Sequence, residues 1–150
     1  MRILAAFLAC FCLIALAGCS REVAPPAGRW EGAYDAGNTI VTARMEITDK
    51  GQIFVSAPNA ENIASSSSDD RAAIRQRLAY DLVQGWDEVK PHQLDFDGKT
   101  FRKPGGIAPQ MVWDKASNHL TLQLYIGSRP AMPVPLRPVD DFHDNPFASG

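Results

Sequence analysis

The sequence predicts a mainly β protein with one helix, an α+β fold. Its antiparallel meander sheet of about eight strands forms an open or incompletely closed barrel. Three observations carry this. Apolar and polar residues alternate in short segments, each closed by a turn dipeptide or a glycine. One segment alone, at about 69–84, has the 3.6-residue period of a helix. All 11 prolines lie beyond residue 19, which shortens elements and multiplies turns.

The elements follow in order. Arg29 to Asp35 alternates, with Trp30, Gly32 and Tyr34 on one face. Ala36-Gly37-Asn38 is a turn. From Thr39 to Thr48, Val41, Ala43, Met45 and Ile47 point inward, while Thr42, Arg44 and Glu46 point outward. Asp49-Lys50-Gly51 suits a hairpin with glycine in the left-handed region, and Ile53, Val55 and Ala57 return along the same face. Four serines, 65–68, precede Asp69 and Asp70, so Ser68 reads as the N-cap of the helix. Its apolar face carries Ala72, Ile74, Leu78, Ala79, Leu82 and Val83, with Arg75 snorkelling from within it. Gly85 stands at the C′ position, and Trp86 is placed to fold back toward Tyr80.

The second half is hairpins. Asp97-Gly98 between alternating residues predicts a two-residue turn that pairs Leu94 with Phe101. Ile107 to Trp113 and His119 to Ile126 flank a loop at 114–118, with Leu120, Leu122, Leu124 and Ile126 as the densest apolar stripe. In the last strand Pro133 and Pro135 remove donors from one side. It therefore pairs through Met132, Val134 and Leu136, and its other side is blunted as an edge. Residues 139–150 have no period and form an acidic tail containing Phe142 and Phe147. Two arrangements fit it: a flexible end, or a segment docked on its own sheet or on a partner.

The N-terminus is of another kind. Sixteen of residues 1–18 are apolar and Arg2 is the sole charge, the pattern of a secretory signal. Leu16-Ala17-Gly18-Cys19 then resembles the lipobox of bacterial lipoproteins. The resemblance implies cleavage before Cys19 and acylation of that cysteine. Several acyl chains on one residue hold a protein stably on a bilayer. Ser20, rather than the Asp that retains such proteins at the inner membrane, implies the outer membrane, facing the periplasm. Ordinary cleavage near Gly18 and a retained signal anchor are the alternatives. Residues 19–28, with Pro25 and Pro26, read as lipidated cysteine and linker, and 29–138 as a single domain. The other cysteines, Cys10 and Cys12, lie inside the signal. The mature chain would then have no thiol, disulfide or cysteine-based metal site.

The whole chain carries 15 Lys/Arg against 17 Asp/Glu, so there is no basic footprint for nucleic acid. Motifs for serine hydrolases, zinc peptidases and phosphate loops are absent from the sequence. His92 and Asp95 fall three apart, on opposite faces of a strand. Asp87, Glu88 and Asp95 have no spacing that recommends acid–base work, and the acids around His143 lack a rigid element to hold a metal. Neither a metal site, a cofactor nor an enzymatic activity is therefore expected. The best recognition loop is Arg102-Lys103-Pro104-Gly105-Gly106, where two cations adjoin glycines that permit close approach, as anion binding requires. Gly28-x-Trp30 resembles the G-x-W opening of lipocalin-like barrels. That resemblance implies a binder of a small apolar ligand, with Trp30, Tyr34 and Leu122 on the ligand face. The leading expectation is a non-enzymatic envelope lipoprotein, partnered by the bilayer through Cys19 and by an envelope protein or the cell wall. The lipocalin-like carrier is the alternative.

Overall fold

A computed structural model describes residues 23–58, 61–62, 67–126 and 129–149. The expected signal segment and Cys19 lie outside the described residues. The fold is mainly antiparallel β. Strands β1 (Gly28–Ala36), β2 (Thr39–Ile47) and β3 (Ile53–Ser56) form the expected meander. A short β4 (Glu61–Asn62) pairs with the start of β2. Helix α1 (Ser68–Gln84) follows, then a 3-10 turn at Trp86–Glu88. Strands β5 (Asp95–Phe96), β6 (Thr100–Arg102), β7 (Met111–Asp114), β8 (His119–Ile126) and β9 (Arg129–Val139) complete the sheet. Its order is β3-β2-β1-β9-β8-β7-β6-β5, curled into a half-barrel whose two ends, β3 and β5, do not pair. One backbone bridge crosses the seam, His92 N–H donating to Ile53 O at 2.7 Å.

The inner face is the core that alternation predicts. Trp30, Val41, Ala43, Met45, Ile47, Ile53, Phe101, Met111, Leu120, Leu122, Val134 and Leu136 pack as one cluster. Gly37, at φ 59°, lets β1 turn into β2 within two residues, and Gly51, at φ 76°, closes the next turn. The β5–β6 hairpin departs from expectation by one turn position. Phe96, not Leu94, stands opposite Phe101, so the two turn residues are Gly98 and Lys99. Gly98 (φ 94°) takes the position that demands positive φ, and the Phe96 and Phe101 rings stack at 4.4 Å.

Strand β9 is not an edge. It pairs with β8 along its first part and, through Arg137, Pro138 and Val139, with β1 on the other side. N–H groups on the β1 side come from alternate residues. Those of Arg137 and Val139 exist, whereas Pro133 and Pro135 have none. The prolines thus limit β1–β9 pairing to three residue pairs. Just past that limit the backbones meet closely: a Cβ on Gly32 would stand 2.4 Å from Pro135 O.

Helix α1 packs on the outside of β2, not on an open barrel mouth. Its N-cap is Ser67, one residue earlier than expected. The Ser67 hydroxyl accepts from Asp70 N–H, and the Asp70 carboxylate accepts from Ser67 N–H at 3.0 Å. The Ser67 hydroxyl, which donates to the same carboxylate at 2.7 Å, and then the Ser67 N–H hold the Asp70 carboxyl below its ordinary value. Gly85 ends the helix in a right-handed conformation (φ −80°), so no left-handed cap forms. Leu78, Ala79 and Leu82 are the buried helical residues, and Leu78 packs with Ile40 of β2.

Gly32→Ala is expected to destabilise the domain by about 1–3 kcal/mol, the usual range for overpacking. Urea denaturation of the variant checks it, and an unchanged midpoint would contradict the close approach of β1 to Pro135.

Candidate interaction site

The outer face of the β1–β2 hairpin holds the least expected chemistry. Turn residues Gly37 and Asn38 set a register that places Glu31 opposite Arg44. Their side chains point away from the core and are nonetheless 3% and 4% exposed. Arg44 Nε donates to Glu31 Oε2 at 2.7 Å. The cover is the acidic tail, which is docked rather than free. Arg44 also donates to His143 O, and His143 Nδ1 meets Glu31 Oε1 at 2.8 Å. The Phe142 ring lies 4.9 Å from the Arg44 guanidinium and meets Trp86 edge-on at 4.7 Å. Trp86 thus packs on the tail, not back on Tyr80. Arg29 holds Asp141 at 2.5 Å and Asp140 O at 3.1 Å. Pro146 is buried, and Phe147 packs against Ile40 and Leu78. Phe147 therefore fills a gap between sheet and helix, and Phe142 one between the sheet and the 3-10 turn.

A second ionic cluster fixes the helix. Asp35, at the end of β1, accepts from both Arg71 and Arg75, and Arg71 Nη1 donates to Gly37 O at 2.7 Å. Arg75 is thus an ion-pair partner rather than a snorkelling side chain. Between these clusters opens a cavity of about 480 Å3, lined among others by Glu31, Tyr34, Asp35, Arg137 and His143. The Tyr34 hydroxyl donates to Pro135 O at 2.6 Å. Burial pushes its pKa up, and the charge of Arg137 opposes this.

The residues singled out in the sequence fall elsewhere. Trp30 and Leu122 are core residues, 1% and 8% exposed, and Tyr34 packs beside them. Trp30 and Leu122 thus face the packed core, while Tyr34 also lines the cavity beside Glu31 and Arg137. Trp30 Nε1 donates to Asn118 O at 2.8 Å, which plugs that end of the half-barrel. In the recognition loop, Arg102 is already engaged. It donates to Asp97 at 2.9 Å and to Ile107 O at 3.2 Å. Asp97 also accepts from Lys99 N–H, Thr100 N–H and the Thr100 hydroxyl. These bonds, the Thr100 hydroxyl foremost, hold its carboxyl far below the ordinary carboxylate range. Lys103 is exposed, Gly105 takes φ 70°, and Gly106 N–H closes a turn on Lys103 O at 2.7 Å. The loop ends on Ile107, 94% exposed. Asp87 and Glu88 sit in the 3-10 turn and Asp95 on β5, all exposed and not brought together. Among the described residues no group of three or more His, Cys, Asp or Glu is disposed to hold a metal ion. Among them, too, no helix is long and apolar enough to cross a membrane.

No protein-family model matches the chain, and no curated protein or solved structure is significantly similar to it.

Two outcomes follow from these contacts. Arg44→Met alone should cost about 3–5 kcal/mol, because it strands a buried carboxylate, while adding Glu31→Leu should recover most of the loss. Chemical denaturation of both variants checks the pair, and an additive double mutant would contradict it. Asp97 has a depressed folded pKa, so its contribution is complete above the ordinary value of 3.8 and is lost only as pH falls through the depressed value. At about pH 3 the Lys99 and Thr100 amides should stay protected from hydrogen exchange, and Asp97→Asn should remove that protection.

Proposed function

We propose that this chain is a non-enzymatic cell-envelope lipoprotein, anchored in a bilayer through Cys19 and presenting a periplasm-facing interaction module. The filled half-barrel carries the reading as far as the domain is concerned. Its inner face is occupied by Trp30, Phe101, Met111, Leu120 and Leu136, each no more than 1% exposed. Recognition then belongs to the outer surface. Among the described residues its most exposed large apolar side chain is Ile107, on the loop that follows Arg102, Lys103, Gly105 and Gly106. An envelope protein or the cell wall is the proposed partner, and the outer membrane the proposed location. The lipobox supports the anchor. The half-barrel shape is compatible with a lipocalin-like carrier, but the packing of Trp30 and Leu122 into the core weighs against it.

In a bacterial host the chain should fractionate with membranes and carry acyl mass on Cys19, and Cys19→Ala should release it. Mass spectrometry of the membrane fraction reads the acylation. The chain extracted in mild detergent should show no bound apolar ligand by native mass spectrometry. A co-purifying apolar mass would restore the carrier reading.

A further inference from the structure

Two segments of the chain lie outside the sheet and α1. Residues 23–27 cross the seam between β3 and β5, where Val23 stands over Gly98 and Pro25 over Gly51. Residues 140–149 form the tail on the outer face. They touch β1 and β2 on one side, and α1 and the 3-10 turn at Trp86 on the other. Among the described residues, the buried cluster inside the half-barrel takes no member from this tail. Pro146 is buried, Phe142 and Phe147 are half-buried, and the other residues from Asp140 to Ala148 are exposed.

The tail is gripped by side chains rather than by backbone pairing. Its amide hydrogen bonds stay within it: Phe147 N–H donates to Asn145 Oδ1 and Ala148 N–H to Asn145 O, both at 3.1 Å. Two arginines are preset to hold it. Each uses Nε on a glutamate of the hairpin, Glu46 for Arg29 and Glu31 for Arg44, and aims its Nη atoms at the tail. Arg29 takes Asp141, Arg44 and Trp86 enclose the Phe142 ring, and Ile40 with Leu78 receives Phe147. The recognised pattern is an acid, a ring beside it and a second ring five residues on. Arginines reading an acidic motif are a recurring mode of peptide recognition. Release of the tail leaves the Glu31–Arg44 bond in place and returns both charges to water, which offsets part of what the docked contacts contribute.

We propose that the groove between the β1–β2 face, Trp86 and α1 is a docking site for an extended, acidic, phenylalanine-bearing segment of a partner protein, and that residues 140–149 occupy it in cis until such a segment displaces them. The contacts of the tail define what the partner must offer: a carboxylate for Arg29, a ring for Arg44 and Trp86, and a second ring for Ile40 and Leu78. The acid is selected by directed donors rather than by net charge, because each arginine already carries a glutamate. A short tether gives the tail an effective concentration of about 1 mM, so the docked tail closes the groove to weak competitors. Docking here requires neither Ile107 nor an anchor on Cys19.

The probe is a synthetic peptide with the sequence of residues 139–150, read by fluorescence anisotropy against the full chain in mild detergent. A second full chain carries Phe142→Ser and Phe147→Ser, so that its own tail cannot seat. The peptide should bind this variant about tenfold more tightly than the unaltered chain, which at that effective concentration corresponds to a Kd of about 0.1 mM. Asp141→Asn in the peptide should weaken binding to the variant about threefold. A peptide with both phenylalanines changed to serine should bind neither chain. Equal binding to the two chains, or none to the variant, would overturn the proposal. Loss of the β-sheet signal in circular dichroism of the variant would overturn it too, because the tail would then belong to the cooperative fold. A concentration-dependent dimer of the unaltered chain that the variant loses would assign the groove to the tail of a second copy and overturn the assignment to a partner protein.

Discussion

The arrangement of the outer layer depends on one buried ion pair. Glu31 and Arg44 face each other across the β1–β2 hairpin on the side away from the barrel interior. Taking two such charges out of water is costly, and their mutual attraction offsets the cost only when the remaining polar atoms find partners. Here they do. His143 and its carbonyl complete the hydrogen bonding, while Phe142 and Trp86 exclude solvent from above. Without the tail, Arg44 and Glu31 would lie open on the outside of the sheet. The tail is therefore the layer that lets β2 be buried on both faces, with α1 covering the part that carries Ile40.

This explains which parts of the fold were legible in the sequence. Period-two alternation identified the inner face, because its apolar residues have polar neighbours in between. The same alternation marks Thr42 and Arg44 as outward, which is right in direction and wrong in environment. A sheet covered on both faces should read as a continuous apolar run. Here the second cover is partly ionic, so the run is broken by charges. The signal was present in the register: the 37–38 turn places Glu31 and Arg44, opposite in charge, directly across from one another. The tail gave a weaker sign, two phenylalanines in an acidic stretch.

Local turn chemistry was legible to about one residue. The turn glycines were right in kind, whereas Gly85 ends the helix right-handed. Gly51 and Gly98 both take positive φ, yet Gly98 leads its turn rather than ending it. The deciding factor is the Phe96–Phe101 stack: both registers put the two rings on one face, but only the observed one sets them directly opposite each other. The proline argument for β9 held for the blunted side and failed for the strand as a whole. Arg137 and Val139 lie beyond the last interfering proline on that side and restore the pairing.

The filled interior follows from how little apolar material the chain has. Beyond residue 18, Leu, Ile, Val and Phe number 27 in 132 residues. Opening a ligand-sized cavity of roughly 300 Å3 in such a core would cost about 7 kcal/mol at about 24 cal/mol per Å3. That is comparable with the whole stability of a domain, about 5–15 kcal/mol. A chain with this composition keeps its half-barrel by packing it with Trp30, Phe101, Met111 and the leucines of β8. What it has left for recognition are its two ends and its outer face. The outer face between Arg29, Arg44 and Trp86 is already occupied by the tail. While the tail stays docked the ends remain, one crossed by the segment that leads back to Cys19, the other bearing Ile107.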